Sequence, residues 1–588
     1  MARTLDKEQR EAVETDRLAI VVVAGAGSGK TEVVARRIER LLADSSPNDR
    51  RVLALSYTTK AADELEERLS ETSVDLDLVD AQTIHSFAHE LVRQHGSWEG
   101  FSPEPEILAR DEDRVELLTA WLADAGTHID PDEVPGVLRE LDVARARLRT
   151  AYLLDDYLTA LAARKALDYP AMLEVATRLV ARDWLRNQLV ETYGHVIVDE
   201  AQNLTPAQYG LISAILGPCP SPINAMLVGD EKQSIVRFAG ADPALIGRFE
   251  SDHRAHRIQL VRNYRSAAAI CRIADKITDA LRSPTTPQVV SAAPGQVTIA
   301  VARDEQAEGA EVATWITQLL GAGLPLGALA SGESSSVQPE EIAVIARSAA
   351  ALRPTAAALE QHGVDYSSAS DPADWMASEL GAAALALIEY RAGPKHPSAR
   401  KHLELMAGTD LDDLAASPII GFAEAVATSD EEPASLFESL RRLAPPDADD
   451  GWDSDRALLV ETWERFCERH GERERTYSNL HLHISRTQRG DTSVAGVRLL
   501  TVHKAQGREF RAVAIIGLNE GQFPSYFAKS EAEQRAELHT FYVAITRASR
   551  VLRLSRPQER IGRNGPWNPN PSRFLTLAGA TGVGANRS

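Results

Sequence analysis

The first part of the chain alternates short apolar runs with amphipathic stretches. Residues 17–25 (RLAIVVVAG) are almost entirely apolar and end in glycine, which is typical of a buried strand. Residues 31–43 (TEVVARRIERLLA) carry apolar positions at helical spacing. Residues 51–57 (RVLALSY) predict a second strand, and residues 60–69 (KAADELEERL) a charged amphipathic helix. Strand–helix alternation of this kind predicts a parallel α/β sheet.

The alternation is interrupted twice by helical patterns. Strand-like runs return at 194–200 (GHVIVDE) and 223–230 (INAMLVGD), and a second α/β unit starts near Ile273. The sequence therefore predicts two α/β units, each with a mainly helical insertion. The predicted limits are 1–100 with 186–272 for the first unit, 101–185 for its insertion, 273–392 with 491–575 for the second unit, 393–490 for a short second insertion, and 576–588 for a disordered tail.

Composition narrows the class of protein. The 588 residues are 44% apolar and 25% charged, which excludes wholesale disorder. Three distant cysteines make a zinc ribbon, an iron–sulfur cluster or a disulfide framework unexpected. The charged N-terminus lacks a signal-peptide core and no apolar run reaches bilayer length, so a cytoplasmic protein without a membrane partner is expected. The formal net charge of −21 disfavours coating of nucleic acid by bulk charge, but it allows a local basic groove.

A phosphate-binding loop is the strongest local signal. It follows a predicted strand and opens a predicted helix, which is the setting that such a loop requires. Its residues are Ala24, Gly25, Ala26, Gly27, Ser28, Gly29, Lys30 and Thr31. Backbone N–H groups and the helix N-terminus favour phosphate there. Lys30 is expected to reach the β- and γ-phosphates of a nucleotide and Thr31 to ligate magnesium. Ala24 departs from the usual first glycine.

A pair of carboxylates ends a later strand, in the run HVIVDEAQ. Asp199 is predicted to hold magnesium, and Glu200 to orient and deprotonate the attacking water. Alone this pattern is common, but together with the phosphate loop it predicts hydrolysis of a nucleoside triphosphate.

An ordered series of further motifs between Leu5 and Arg550 resembles the UvrD/Rep/PcrA family of superfamily 1A DNA helicases. The motifs are LDKEQREAV, LSYTTKAADELEERL, TIHSFAHELVR, VDEAQN, VGDEKQSI, RNYRS, LLTVHKAQGREF and FYVAITRAS. The resemblance implies two RecA-like domains, ATP and magnesium as cofactors, and DNA as the partner. It also implies nucleotide-site roles for Gln9 at the adenine, Gln233 and Arg265 at the γ-phosphate, Gly507 at the nucleotide, Glu509 at the ribose, and Arg547 as the arginine finger.

The resemblance further implies a set of DNA contacts. They are Tyr57, Thr58, Lys60, Thr83, His85, Phe87, Tyr264 flanking a base, Thr501 and His503. After VGDEKQSI the family usually reads Tyr-Gly-Trp-Arg-Gly-Ala, whereas this chain reads Val236-Arg237-Phe238-Ala239-Gly240-Ala241. The stacking tyrosine is therefore missing, and Arg237 and Phe238 are expected to contact DNA in a rearranged way.

Three activities remain open. The favoured one is an ATP-dependent 3′–5′ helicase that binds single-stranded DNA and single-strand/duplex junctions, as in DNA repair. The second is a translocase that needs a separate nuclease or repair protein, and the short second insertion favours it. The third is an ATP-gated DNA sensor with slow turnover, although Glu200, Gln233 and Arg547 argue against it. The arginine-rich stretch around Arg145 is interpreted as a solvated helix face, with a DNA backbone contact as the alternative.

Overall fold

The computed structural model describes residues 5–43, 50–70, 72, 74–101, 105–108, 111–127, 129–130, 133–281, 288–368, 496–526, 528–562 and 565–579, with short isolated pieces between 388 and 484. Two compact units are distinguished. The larger contains residues 1–368 and 494–588, and the smaller contains residues 369–493.

Six parallel strands form the first sheet of the larger unit, in the order β3-β2-β6-β7-β1-β8. They are β1 (Ala19–Ala24), β2 (Arg51–Ser56), β3 (Val79–Thr83), β6 (Tyr193–Val198), β7 (Asn224–Gly229) and β8 (His256–Leu260). The apolar run predicted around Val21 is β1, which lies between β7 and β8. Parallel strands place all their carboxyl ends at one edge, where open α/β sheets bind ligands.

Helices cover both faces of this sheet, and the core divides accordingly. Ile20 and Val22 face the core shared with α1 (Lys7–Glu14) and α2 (Lys30–Leu42), whereas Val21 and Val23 face the core shared with the insertion. The helices of this part are α1 (Lys7–Glu14), α2 (Lys30–Leu42), α3 (Thr59–Ser70), α4 (Ile84–His95), α5 (Asp111–Asp124), α6 (Val134–Ala146), α7 (Leu154–Arg164), α8 (Tyr169–Val180), α9 (Asp183–Thr192), α10 (Pro206–Leu216) and α11 (Ala244–His253).

The first insertion is helical, but it also contains a two-residue strand pair, β4 (Glu106–Ile107) with β5 (Ala166–Leu167). The prediction of a solvated face is wrong at Arg145 itself, although Arg149 in the same stretch is exposed. Arg145 is 4% exposed, and its Nη1 lies 2.7 Å from Oδ2 of Asp168 while its Nε lies 2.9 Å from Oε1 of Glu174. A buried guanidinium requires such carboxylate partners, and the sequence did not reveal them because both lie on other parts of the chain.

A second sheet of six parallel strands has the order β11-β16-β15-β12-β14-β13. Its strands are β11 (Gln296–Ala302), β12 (Ile342–Ala346), β13 (Tyr366–Ser368), β14 (Val497–Thr501), β15 (Phe510–Ile515) and β16 (Ala548–Pro557). The remaining short strands are β9 (Arg262–Asn263), β10 (Gln288–Val289), β17 (Arg560–Gly562) and β18 (Gly565–Trp567). The helices of this part are α12 (Ala268–Ala280), α13 (Glu305–Ala322), α14 (Arg353–Gln361), α15 (Glu531–Ile545) and α16 (Arg573–Ala578).

The prediction of parallel sheets flanked by helices is confirmed. The tail prediction is corrected at its start, because α16 continues to Ala578, while residues 580–588 lie outside the described residues. Most of the predicted insertion 393–490 also lies outside them. In the smaller unit, the ring of Trp463 stacks on Phe437 at 4.9 Å between centroids. No helix of the described ranges has both the length and the apolar character needed to cross a bilayer.

Candidate functional site

The phosphate-binding loop joins the carboxyl end of β1 to the first turn of α2. Gly29 caps α2 in the left-handed conformation, with φ of 81°. Gly27 is also left-handed, with φ of 72°, and a Cβ there would lie 2.7 Å from both Cβ of Arg265 and Oδ1 of Asn263. Only glycine combines a left-handed backbone with the lack of a Cβ, so the loop can pack directly against the segment 263–265.

Asn263 holds this loop in place. Its Nδ2 donates to the carbonyl of Ala26 across 2.9 Å, and its Oδ1 accepts from the backbone N–H groups of Arg265 and Ser266, each at 2.9 Å. The backbone N–H of Tyr264 donates to the carbonyl of Gly27, also at 2.9 Å. Asn263 stands within the motif RNYRS, from which no role was predicted for it. Its effect is to fix Arg265 beside the phosphate site.

Gln9 lies at the start of the chain and contacts the same loop. Its Nε2 donates to the carbonyl of Ser28 across 2.9 Å, and its Oε1 accepts from the backbone N–H of Asp6 at 3.1 Å. Asp6 in turn accepts the hydroxyl of Tyr264 at 2.5 Å. The glutamine amide keeps one N–H and one lone pair beyond these bonds, which suffices for a purine edge. The hydroxyl of Tyr264 therefore contacts the segment that carries Gln9, and the predicted DNA contact of Tyr264 stays a prediction.

The two predicted carboxylates follow β6, at the same edge as the phosphate loop. The backbone N–H of Asp199 donates to the carbonyl of Leu55 at 2.9 Å, and its Oδ1 accepts from the backbone N–H of Glu200 at 2.7 Å. Burial raises the pKa of Asp199 to about 7, the negative charge of Glu200 adds to this, and Lys30 opposes it. Glu200 is one of the few non-glycine residues with left-handed backbone, φ 52°.

Magnesium fits these donors. The Thr31 hydroxyl follows Lys30 in the first turn of α2, and Asp199 supplies a carboxylate on a strand two places from β1 in the sheet. Mg²⁺ is usually held by one or two such oxygens together with substrate phosphates. The desolvated carboxylate pair at 199 and 200 also concentrates negative charge that a divalent cation relieves.

A chain of hydrogen bonds runs from Glu200 to Arg547. Nε2 of Gln202 donates to Oε2 of Glu200, and Oε1 of Gln202 accepts from the backbone N–H of Asp230 at 3.0 Å. Nε2 of Gln233 donates to Oδ2 of Asp230 at 2.9 Å, and Nη2 of Arg547 donates to Oε1 of Gln233 at 3.3 Å. Gln202 and Asp230 thus connect the two predicted site residues, a role that the sequence did not predict although both stand within the quoted motifs.

The two predicted arginines converge near Glu200. Arg547, at the end of α15, is 2% exposed, and burial lowers its pKa while the charge of Glu200 raises it. Burial lowers the pKa of Arg265 to about 9, the positive charge of Arg547 adds to this, and Glu200 opposes it. Arg265 also forms an ion pair with Glu509, the residue predicted at the ribose. Both guanidinium groups stay charged at neutral pH.

The site reaches the second sheet at two further points. Nδ1 of His539 on α15 is hydrogen-bonded to the carbonyl of Lys232 at 2.8 Å. Nε2 of Gln506 donates to the carbonyl of Gln233 at 3.4 Å. Gly507 follows in left-handed conformation, with φ of 77°. The segment that carries Thr501, His503 and Glu509 is therefore tied to the predicted γ-phosphate sensor.

The predicted DNA contacts occupy different positions. Tyr57 is partly buried and Thr58 accepts from the backbone N–H of Ala61 at 3.2 Å, just ahead of α3. Thr83 caps α4, and the His85 ring lies 5.9 Å from that of Tyr169.

Thr501 ends β14, and burial lowers the pKa of His503. Arg237 is exposed on a short 3₁₀ turn. The side chains of Lys60 and Phe238 lie outside the described part of the structure.

Phe87 corrects the prediction made for it. The side chain is 2% exposed and belongs to the core between α4 and the first sheet. Its ring meets Tyr193 edge to face, at 6.2 Å between centroids. A ring in this position cannot stack on a base, so Phe87 supports the α4 terminus that presents Thr83 and His85.

Comparison with known proteins gives two family matches. Residues 5–254 match the UvrD/REP helicase N-terminal domain, and residues 470–559 match the UvrD-like helicase C-terminal domain. The chain is 27% identical to the ATP-dependent DNA helicase UvrD2 of Mycobacterium tuberculosis, over 97% of this chain and 81% of that protein. It is 25% identical to the ATP-dependent DNA helicase PcrA of Leuconostoc citreum, over 97% of this chain and 84% of that protein. It is 26% identical to the ATP-dependent DNA helicase UvrD1 of the same Mycobacterium, over the same shares.

Proposed function

The chain belongs to the UvrD-like family of ATP-dependent DNA helicases, and from this premise we propose that it is a motor that steps 3′ to 5′ along single-stranded DNA. The polarity follows from the family resemblance. Hydrolysis takes place between the two parallel sheets, and stepping separates the strands at a single-strand/duplex junction.

The nucleotide is held by groups from the first sheet. Backbone N–H groups of residues 25–31 surround the phosphates, and Lys30, whose Nζ lies 3.4 Å from the carbonyl of Ala24, turns to the β- and γ-phosphates. Gln9 and Tyr264 flank the base. Magnesium, held by Thr31 and Asp199, would neutralise charge that develops on the transferred phosphoryl group.

Glu200 acts on the attacking water. Its carboxylate accepts the water proton while Gln202, which donates to Oε2 of Glu200, fixes the direction in which the carboxylate points. A general base must lie within hydrogen-bond reach of the proton that it removes, so this orientation is part of the catalytic geometry.

The arginines complete the site from the other side. Arg547 lies between the end of α15 and the start of β16 of the second sheet, and its contact with Gln233 is the single observation that most strongly supports the proposal. A cation supplied from the second sheet stabilises the phosphoryl group only while the cleft between the sheets is closed. ATP binding then favours the closed arrangement, and hydrolysis with phosphate release favours reopening.

DNA lies on the residues that follow the strands of both sheets. Thr58, Thr83 and Arg237 contact it from the first sheet, and Thr501 and His503 from the second. Because Gln506 contacts Gln233, movement at the γ-phosphate is transmitted to the segment that grips the strand. Alternating grip on the two sheets converts each cycle into a directed step.

Steady-state ATP hydrolysis with and without oligo(dT) tests the proposal. We expect single-stranded DNA to stimulate turnover, and we expect Lys30→Ala to abolish the stimulated rate while leaving the fold intact by circular dichroism. Stimulation by oligo(rU) of the same length shows whether the protein distinguishes ribose from deoxyribose in the strand. A stimulated rate that survives Lys30→Ala, or a rate that DNA leaves unchanged, would contradict the proposal.

A further inference from the structure

The loop between α6 and α7 exposes large side chains that the motor site does not use. Tyr152 is 73% exposed and Leu148 is 64% exposed. Arg149 between them is also exposed. Within the described part of the structure, neither Arg147 nor Arg149 pairs with a carboxylate, and Tyr152 has no hydrogen bond or ring contact. Exposed apolar groups of this size on one short loop mark an interaction surface.

The backbone of this loop is held in a conformation that costs free energy. Leu148 and Leu153 are both left-handed, with φ of 53° and 60°. The end of α6 is closed by the bonds Leu148 N–H to Arg145 O at 3.0 Å and Arg149 N–H to Ala144 O at 2.8 Å, a cap in which glycine usually occupies the place of Leu148. A strained leucine that gains little burial points to a role outside folding.

The loop begins against the segment where the expected stacking tyrosine is missing. Nη2 of Arg147 donates to the carbonyl of Arg237 at 2.8 Å. A Cβ on Gly240 would lie 2.7 Å from Cβ of Ala146, so α6 and this segment are in close contact. Val236 stands where a base would otherwise stack. Arg147 and Tyr152 are five residues apart, at most about 18 Å, so a strand that reaches Arg237 can also reach Tyr152.

We propose that residues 147–152, together with Arg237, form an additional binding surface for single-stranded DNA, on which Tyr152 stacks a base and Arg147 and Arg149 hold phosphates. The inference rests on the proposed function and adds a contact that the predicted motifs do not contain. Arginines that pair with no carboxylate among the described residues, beside an exposed aromatic ring, suit a strand that offers phosphates and unstacked bases. The positive charge is local, since the chain as a whole carries a formal charge of −21. Asp155 and Asp156 follow at the start of α7, where they complement the helix dipole.

Equilibrium binding of fluorescent oligo(dT) to the full chain, without nucleotide, tests the surface. We expect Tyr152→Ala to weaken binding about fivefold or more, and Tyr152→Phe, which keeps the ring, to remain within about twofold of the unchanged protein. Trp567→Ala removes a ring that is 48% exposed outside the proposed surface and should have no effect on this binding.

The salt dependence of binding tests the phosphate contact. We expect Arg149→Ala to reduce the slope of log K against log salt by about 0.7, the value for one phosphate contact on a single strand. Arg303→Ala is its matched control, because Arg303 is exposed and pairs with Asp304.

The outcomes separate this inference from the proposed function. Thermal midpoints and DNA-independent ATP hydrolysis should stay unchanged in all variants, because the loop lies outside the nucleotide site. Normal binding and an unchanged salt slope in Tyr152→Ala and Arg149→Ala would overturn the additional surface and leave the motor proposal intact. Equal weakening on a blunt duplex would also overturn it, because stacking requires unpaired bases. Failure of the unchanged protein to bind oligo(dT) would overturn both proposals.

Discussion

Nη2 of Arg547 donates to Oε1 of Gln233 across 3.3 Å, and this bond joins α15 to the turn that follows β7 of the first sheet. Both side chains are buried, Arg547 at 2% and Gln233 at 4% exposure. Through Asp230 and Gln202 the same line of bonds reaches Glu200. Glu200 and Arg547 are therefore positioned by one connected set of side chains, and in the proposed mechanism this set would link hydrolysis to the relation between the sheets.

Replacing Arg547 should slow hydrolysis far more than nucleotide binding. We expect Arg547→Ala to lower kcat of the DNA-stimulated reaction by about 10³-fold or more, because an arginine finger stabilises charge that appears in the transition state. Arg547→Lys should recover little, since lysine lacks the planar fork that reaches both Gln233 and phosphate. Arg553→Ala, which removes a guanidinium on β16 that pairs with Glu311 of α13, is the control. A kcat for Arg547→Ala within tenfold of the unchanged protein would exclude the finger role.

Gln202 should affect turnover through Glu200. We expect Gln202→Ala to lower kcat about tenfold while KM for ATP changes little, because the carboxylate remains but loses the amide that orients it. Gln94→Ala, which removes an amide that donates to Oε1 of the partly buried Glu90, is a matched control on α4. A tenfold rise in KM for ATP with an unchanged kcat would mean that Gln202 supports nucleotide binding and does not act through Glu200.

Gln9 should determine the choice of base. Its amide has bonding capacity left after its contacts with Ser28 and Asp6, so Gln9→Ala should raise KM for ATP and reduce the preference for ATP over GTP. A site rejects the wrong base because that base leaves a polar group of the site unpaired, so removing the group removes the discrimination. The ratio of kcat/KM for the two nucleotides measures this. If both KM values rise equally, Gln9 only braces the phosphate loop.

Glu308 should make stability depend on pH. It is 4% exposed on α13, accepts from the backbone N–H of Gly517 at 3.2 Å, and burial raises its pKa to about 7. The pKa of this carboxyl is near 4.5 in the unfolded chain and about 7 in the folded protein, so between these pH values the folded state binds more protons than the unfolded state. The contribution of Glu308 to the free energy of unfolding is therefore fully present at low pH and is lost as the pH rises through 7. The loss is about 3 kcal/mol at most.

Glu308→Gln keeps an oxygen for Gly517 and cannot ionise. We therefore expect its thermal midpoint to exceed that of the unchanged protein at pH 8.5, with the difference shrinking at pH 5.5. Glu341→Gln, at a partly exposed position near the same sheet, should show no such pattern. A difference that grows towards low pH would show that the Glu308 pKa is not raised.

Sequence patterns predicted the parts of the fold that depend on local order. The apolar run at β1 and the phosphate loop after it form as expected, because strand, turn and helix N-terminus are adjacent in the chain. Asn263, Gln202 and Asp230 were not assigned roles, since their partners come from other strands. Phe87 and Arg145 were predicted at accessible positions but are buried, again because their neighbours come from other parts of the chain. Helical spacing shows that a residue lies on a face, but only the packed neighbours decide whether that face meets solvent.

Strand displacement on matched short duplexes tests the central claim most directly. The substrates carry a 3′ tail, a 5′ tail or no tail, with ATP and magnesium present and Lys30→Ala as the blank. We predict unwinding of the 3′-tailed duplex alone, which requires ATP hydrolysis and stepping with the stated polarity. Unwinding from the 5′ tail, or none with DNA-stimulated ATP hydrolysis intact, would contradict an autonomous 3′–5′ helicase. The second result would instead indicate a translocase that needs a partner protein.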